Sequence, residues 1–228
     1  MPQEIKTITL PLPFKLGSVN CYLVKTGRGY ILIDTGGPNS RAELENELVS
    51  AGCRPGNLKL IVITHGDFDH TGNAAYLCKK FGTKIAMHHD DSGMIERGDM
   101  FWNRTSGSIL VKMMAPLIPI FFGFGKSARC KPDLYFEEGY DLAEYGFDAR
   151  VLSLPGHSKG SIGILTVDGH LFCGDLLENM DKPVLNGIMD DLAAANASVE
   201  KVQSLEINTV YPGHGQPFPM ETFLTEHR

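Results

Sequence analysis

Residues 58–73 read LKLIVITHGDFDHTGN, a strand-like run followed by a polar loop. Residues 58–64 are rich in β-branched side chains, which predicts a strand buried on both faces. A polar loop follows, and the pattern then predicts a helix from about residue 74 to residue 81. A buried strand followed by a helix is typical of an α/β domain, in which helices cover the faces of a sheet.

The polar loop carries four side chains of metal-ligand type within six positions: His65, Asp67, Asp69 and His70. Alternate residues of an extended loop project to one side, and the turn into the helix can bring His70 to the same centre. Imidazole and carboxylate are good ligands for zinc, iron and manganese. His65 alone could be a core residue, and Asp69 alone could cap a helix. The set as a whole predicts a metal site.

Four other strand-like runs end in side chains of the same kind. The runs ILIDTG, LSLPGH, LFCGD and TVYPGHG contain Asp34, His157, Asp175 and His214. α/β folds place their functional residues on loops at one end of a sheet, where the sheet holds the loops rigidly. We therefore expect these residues to join the 65–70 loop.

Strand and helix signals alternate through both halves of the chain. The first half predicts strands at 6–13, 19–27, 30–37, 58–64 and 83–88, a turn at 27–29, and helices at 40–51 and 74–81. The second half predicts strands at 149–156 and 208–215, a hairpin at 161–175 and a helix at about 190–205. No repeat or Ser/Gly linker separates the halves, so residues 1–228 are predicted to form a single domain.

Residues 92–135 break this alternation and are predicted to be an apolar, partly helical insertion. Their middle, ILVKMMAPLIPIFFGFG, is too short for a membrane-spanning helix and is interrupted by Lys112, Pro116 and Pro119. Core or connecting helices, a lid over a ligand pocket, a homodimer surface and shallow membrane contact all remain open.

Charge and cysteine content exclude several classes of protein. The net charge is −6, and no cluster of lysine and arginine marks a nucleic-acid surface. The N-terminal sequence does not resemble a signal peptide, so we expect a cytoplasmic protein. The five cysteines form no CxxC pair, which favours reduced, mostly buried thiols.

A further group of polar residues and one lysine are predicted to have no role in the site. His88, His89, Asp90 and Asp91 look like a ligand cluster, but adjacent residues at a strand end point opposite ways. We therefore interpret them as surface polar residues, and we expect Lys159 to be exposed as well.

In chain order, Asp34, the HxDxDH run from His65, His157, Asp175 and His214 resemble the five signature motifs of the metallo-β-lactamase-fold superfamily. The resemblance extends from about residue 18 to residue 216. It implies an α/β fold, a four-layer αββα sandwich with the metal site at one edge between two sheets. The superfamily includes glyoxalase II-like thioesterases, lactonases, phosphodiesterases, sulfatases, nucleases and iron redox proteins.

The resemblance also implies two divalent metal ions and a role for each motif residue. Asp175 would bridge the two ions. Asp34 would not bind an ion itself but would orient the 65–70 loop. The first ion would be held by His65, Asp67 and His157, and the second by Asp69, His70 and His214.

Asp67 departs from the superfamily pattern HxHxDH, which has histidine at this position. A carboxylate makes the first site harder, which shifts its preference from zinc, the first choice, toward iron or manganese. Flavodiiron proteins resemble this in using glutamate there to hold iron. Aspartate is one methylene shorter and reaches the metal only if the loop moves, so the first site could be weak.

These residues predict a metal-dependent hydrolase, a binuclear enzyme in which a metal-bridging hydroxide attacks the substrate. Asp69 is predicted to help orient that hydroxide. The apolar stretch within residues 92–135 favours a small-molecule ester, thioester or lactone with an apolar or acyl part. Two alternatives remain open: a diiron redox or oxygen-handling protein, and a non-catalytic ligand sensor on the same fold.

Overall fold

The computed structural model describes residues 4–104 and 125–226. None of the helices in these two ranges is long and apolar enough to cross a membrane. The strands are β1 (Ile5–Pro11), β2 (Ser18–Thr26), β3 (Gly29–Ile33), β4 (Leu58–Val62), β5 (Lys84–Met87), β6 (Leu134–Tyr135), β7 (Ala149–Ser153), β8 (Ile162–Thr166), β9 (His170–Gly174), β10 (Leu177–Glu178), β11 (Val184–Leu185), β12 (Thr209–Pro212) and β13 (Phe218–Pro219). The helices are α1 (Arg41–Ser50), α2 (Phe68–Thr71), α3 (Ala74–Phe81), α4 (His89–Arg97), α5 (Leu192–Gln203) and α6 (Met220–Glu226).

The strands of the described chain form two main sheets. One has six strands in the order β1-β2-β3-β4-β5-β6, and the other has five in the order β13-β12-β9-β8-β7. β1, β2 and β3 pair antiparallel, whereas β3 to β6 pair parallel. Parallel neighbours need a crossover connection, and α1 and α3 lie in the connections from β3 to β4 and from β4 to β5.

Strand β4 is buried on both faces, as its sequence predicts. Leu60 and Val62 pack into the core between the two sheets. Leu58 and Ile61 point the other way, into the core beneath the helices. The strand is shorter than predicted because the backbone N–H of Thr64 bonds to the Asp34 carboxylate.

Three hydrophobic clusters define the four layers. The central cluster joins Ile31 of β3 to Phe172 of β9 and so lies between the sheets. On the outer face of the first sheet, Leu77 of α3 packs into a second cluster. On the outer face of the second sheet, Val202 of α5 packs into a third. The order is helix, sheet, sheet, helix, and the predicted αββα sandwich is confirmed.

Local signals explain where the main helices begin and end. Helix α3 ends at Gly82, which adopts the left-handed conformation with φ 63°. Helix α5 begins after Asp191, whose side chain accepts a hydrogen bond from the backbone N–H of Ala194 at 3.0 Å. Both helices lie where the sequence predicts them, with α5 slightly shorter at each end.

The predicted insertion at 92–135 is only partly within the described residues. Residues 105–124 lie outside them, and with them lie the interpretations of that apolar stretch as a lid, a homodimer surface or a membrane-contact surface. The flanks belong to the sandwich. Ile95 of α4 and Ala128 are buried in the cluster beneath the first sheet, and β6 extends that sheet beside β5.

Candidate metal centre

Five loops meet at one edge of the sandwich, and each follows a strand. The first sheet contributes the loops after β3 and β4, and the second contributes those after β7, β9 and β12. The structure brings together all eight predicted residues at this edge: Asp34, His65, Asp67, Asp69, His70, His157, Asp175 and His214.

Six of these residues form two groups that could each hold a metal ion. Within each group, the ligand atoms all lie within 4.8 Å of one another. The first ligand group is His65, His157 and Asp175, and the second ligand group is Asp69, His70 and His214.

Asp175 faces both ligand groups. Its Oδ2 lies 3.9 Å from Nε2 of both His65 and His157. The same carboxylate lies 3.3 Å from His70 Nε2, through Oδ1, and 3.2 Å from His214 Nε2, through Oδ2. A single carboxylate therefore lies between the two ligand groups.

Two histidines are oriented by backbone carbonyl groups. His157 Nδ1 donates to the carbonyl of Ile188 at 2.6 Å, and His214 Nδ1 donates to that of Ser18 at 2.7 Å. A carbonyl can only accept, so in both residues the proton is on Nδ1. Their Nε2 atoms are therefore the ones available to a metal.

The other two histidines are oriented through Asp34. His70 Nδ1 donates to Asp34 Oδ2 at 2.9 Å. The hydroxyl of Thr64 donates to the same carboxylate, so it accepts from His65 Nδ1 at 3.0 Å. Asp34 also accepts from the backbone N–H of Thr64 and holds a φ of 60°, which is uncommon for aspartate and is found at functional sites.

The residues present fit bound metal ions. In the described chain, His65 Nε2, His70 Nε2 and Asp175 Oδ1 are buried without a hydrogen-bond partner. Buried polar atoms normally have partners, and metal ions would satisfy all three. The loop also leaves no space for a side chain before His214, because a Cβ on Gly213 would lie 2.1 Å from Asp175 Oδ1.

Asp67 lies beside the first ligand group but outside it. Its Oδ2 is 3.0 Å from His157 Nε2 and 3.7 Å from His65 Nε2. Its Oδ1 accepts a hydrogen bond from Arg104 Nη2 at 2.8 Å. Arg104 was not among the predicted site residues, and it lies in the stretch interpreted as an insertion.

Opposite charges keep two carboxylates of the centre ionised. Burial works to raise the pKa of Asp67, but the Arg104 guanidinium and His157 outweigh it and hold the pKa well below its usual range. Burial is likewise outweighed at Asp175, where the surrounding imidazoles hold the pKa well below its usual range. At Asp69 burial prevails and raises the pKa.

The imidazoles respond to the same charges. Burial works to lower the pKa of His70, but the carboxylates of Asp175 and Asp34 outweigh it and raise the pKa. Burial is also outweighed by Asp175 at His214, whose pKa rises to about 9. Burial and the neighbouring His70 lower the pKa of His65. The centre therefore concentrates negative charge that cations can balance.

Asp91 is not a surface residue, and that interpretation was wrong. Its side chain is fully buried and accepts hydrogen bonds from the backbone N–H groups of Gly66 (2.9 Å) and Gly160 (2.8 Å). It also accepts from the Ser158 hydroxyl at 2.6 Å. Asp91 thus joins α4 to two ligand-bearing loops. Lys159 is exposed, as the sequence predicts.

A pocket of about 470 Å³ opens over the centre. Carboxylates and imidazoles of both ligand groups lie among its lining residues. Most of the remaining lining is apolar: Leu12, Leu16, Phe68, Met100, Met180 and Ile188. The pocket can therefore place an apolar group directly beside the candidate metal ligands.

Residues 15–214 match the family model described as the metallo-beta-lactamase superfamily. The chain belongs to the metallo-β-lactamase superfamily. The resemblance drawn from its motifs is thereby confirmed, and the chain is a metallohydrolase of this superfamily.

Relatives within the metallo-β-lactamase superfamily include proteins with hydrolase names. The chain is 26% identical over 252 residues to the probable metallo-hydrolase YqjP of Bacillus subtilis, covering 99% of this chain and 76% of the relative. It is 30% identical over 223 residues to the acyl-coenzyme A thioesterase MBLAC2 of Bos taurus, covering 90% of this chain and 72% of that relative. The crystal structure of TTHA1623 in a di-iron-bound form superimposes with a TM-score of 0.71 at 28% identity, covering 96% of both chains.

Proposed function

We propose that this protein hydrolyses small-molecule esters, thioesters or lactones that carry an apolar acyl or aromatic part, and that it uses two divalent metal ions. The observation that carries the proposal is the apolar pocket directly over the two ligand groups. The thioesterase name of the MBLAC2 relative supports the acyl thioester as the first substrate to test.

The apolar side of the pocket is suited to an acyl chain. Leu16, Met180 and Ile188 line the pocket although their side chains are largely exposed to solvent. Exposed apolar side chains that border a site are typical of ligand binding. A substrate that covered them would gain hydrophobic stabilisation in proportion to the area it buries.

The two ligand groups would hold the metal ions. His65, His157 and Asp175 would hold one, and Asp69 and His214, with His70, would hold the other, with Asp175 shared. Bound divalent ions polarise a carbonyl group and lower the pKa of a coordinated water to near neutrality. Zinc is the metal we propose first.

Asp69 is the residue we propose for proton handling. Its carboxylate lines the pocket, 3.6 Å from His214 Nε2, so it can reach both a substrate and the water that attacks it. The apolar wall would exclude bulk water from the same region.

The test is hydrolysis of acyl-coenzyme A thioesters, from acetyl to lauroyl, by chelator-treated protein before and after zinc or manganese is added. We expect turnover only with metal, and kcat/KM should rise with acyl length by up to about fourfold per methylene until the pocket is filled. Turnover that persists after complete metal removal would contradict the proposal. So would the absence of turnover on every ester, thioester and lactone tested with fully metal-loaded protein.

A matched pair of variants tests the pocket itself. Leu16→Ala should reduce kcat/KM for long acyl chains and leave the acetyl substrate nearly unchanged, because Leu16 lines the pocket. Val167→Ala is the control, since Val167 is an exposed apolar residue outside that pocket.

A diiron redox or oxygen-handling protein is the second candidate, and the di-iron form of the structural relative TTHA1623 favours it. The pairing of Asp67 Oδ1 with Arg104 weakens one reason for it, because the guanidinium offsets the charge of the carboxylate that would favour iron. Elemental analysis and a visible spectrum of protein purified without added metal would separate the two. About two irons with a visible band would support the second candidate.

A further inference from the structure

Arg104 is buried against the first ligand group. Its side chain is only 7% exposed, and Nη2 lies 2.8 Å from Asp67 Oδ1 and 3.4 Å from His157 Nε2. His157 Nδ1 donates to a carbonyl, so Nε2 is the atom available to a metal, and this atom faces both Asp67 Oδ2 and Arg104 Nη2. One cationic side chain therefore contacts both a ligand of the first group and the adjacent carboxylate.

The second ligand group has no such neighbour in the described chain. The ion pairs of Asp69 are with His70 and His214. His214 Nε2 also lies close to Asp175, which again is a carboxylate. In residues 4–104 and 125–226, no lysine or arginine forms an ion pair with a member of the second group.

The pairing affects the first group in two ways. A guanidinium remains charged at every accessible pH, and at a buried position its repulsion of a divalent cation is only weakly screened. The same guanidinium also occupies Oδ1 of Asp67, while Oδ2 faces His157. The pairing therefore reduces the negative charge that the Asp67 carboxylate can offer to a metal ion.

We propose that Arg104 makes the two ligand groups unequal: by pairing with Asp67 and by its own charge it weakens the first group, so that a divalent ion fills the second group before the first. Arg104 is thus a positioning residue that acts on the metal through Asp67 and His157. The proposal concerns metal loading and needs no substrate, so it can fail or succeed independently of the proposed hydrolase activity.

The test is a titration of chelator-treated protein with cobalt(II), followed by the visible absorption of the bound ion. We expect two binding steps that differ in affinity by at least about tenfold. His214→Ala should abolish the tighter step and His157→Ala the weaker one. Two equal steps in the unaltered protein, or the reverse assignment, would overturn the proposal.

Variants of Arg104 test its part in this difference. Arg104→Met removes the charge at similar length, and the weaker step should tighten by about tenfold or more. Arg104→Lys keeps the charge and should keep the two steps apart. Lys201→Met is the control, because it removes a cation that pairs with Glu138 rather than with a site residue. An unchanged weaker step in folded Arg104→Met would overturn the proposal.

Adding Asp67→Asn to Arg104→Met tests whether the released carboxylate causes the gain. We expect the double variant to lose most of the increase in affinity that Arg104→Met gives to the weaker step. If the whole increase persists, the role given to Asp67 is wrong. A purely structural role for Arg104 would weaken both steps and lower the unfolding temperature without tightening either. Circular dichroism on each variant confirms that the compared proteins are folded.

Discussion

Asp34 connects His70 to the backbone of the loop that follows β4. Its Oδ1 accepts from the backbone N–H of Thr64, and its Oδ2 accepts from the Thr64 hydroxyl and from His70 Nδ1. Each bond fixes a group on which the direction of a candidate ligand depends. A single carboxylate therefore orients His70 directly and His65 through Thr64.

Asp34→Asn should weaken both folding and metal binding. Asparagine has an N–H₂ group in place of one carboxylate oxygen, so at least one of the three donors that bond to Asp34 would lose its acceptor. The free energy of unfolding should therefore fall by about 1–3 kcal/mol. Metal affinity should fall by about 10–100-fold, as is usual when the partner of a ligating histidine is lost. Urea unfolding and competition with a chromogenic chelator measure the two effects.

The control for Asp34 is Asp168→Asn, in the exposed turn between β8 and β9. It makes the same chemical change away from the centre and should alter neither quantity. If Asp34→Asn matched this control in metal affinity, the hydrogen bonds to His70 and Thr64 would not be orienting the ligands.

The cysteines should be unreactive in the folded protein. Burial raises the pKa of Cys173 to about 12, and it raises that of Cys53 to about 11 although Lys6 opposes it. At pH 8 at most about one such thiol in a thousand is a thiolate, the reactive form, and the fraction rises with pH. A chromogenic disulfide reagent should react with five thiols after denaturation but only slowly before it. Fast reaction of a native thiol would contradict this.

Helix α4 supports two loops at once, although it carries no residue of either ligand group. Asp91 in its first turn binds the loop after β4 at Gly66 and the loop after β7 at Ser158 and Gly160. The first sheet and the second sheet each contribute one of these loops. The helix therefore fixes the distance between ligands that come from different sheets.

Asp91→Asn should loosen that connection. One of the three donors would face the amide N–H₂, so we expect about 1–3 kcal/mol of destabilisation and a lower affinity for metal. The neighbouring Asp90→Asn is the matched control, because Asp90 is only partly buried and pairs with the exposed Lys159. Equal effects from the two substitutions, measured by thermal unfolding and metal competition, would rule out the bridging role.

The elements that the sequence predicts well are those with local causes. Strand β4 shows a continuous β-branched run, and α3 has a glycine that ends it in the left-handed conformation. Neither helix α4 nor the burial of Asp91 in it was predicted. Asp91 is buried because it bonds to hydrogen-bond donors that lie 25 and 67 positions away in the sequence. A local pattern cannot reveal a carboxylate whose donors lie on remote loops.

At the scale of the whole molecule, the centre joins the two halves of the sandwich. His65, Asp69 and His70 come from the first sheet, and the other candidate ligands come from the second. The motif residues were predictable, because each follows a strand in a recognisable run. Arg104 was not, since it is brought to Asp67 and His157 only by folding and follows no strand.

Asp175 faces both ligand groups, so replacing it shows whether these loops form one metal centre. The measurement is elemental analysis of the protein and of Asp175→Asn after equal exposure to metal, with the pocket residue variant Glu178→Gln as control. We expect bound metal in the protein and in the control, and a loss from both ligand groups in Asp175→Asn. If the metal content of Asp175→Asn equals that of the unaltered protein, these loops do not form a metal centre around Asp175.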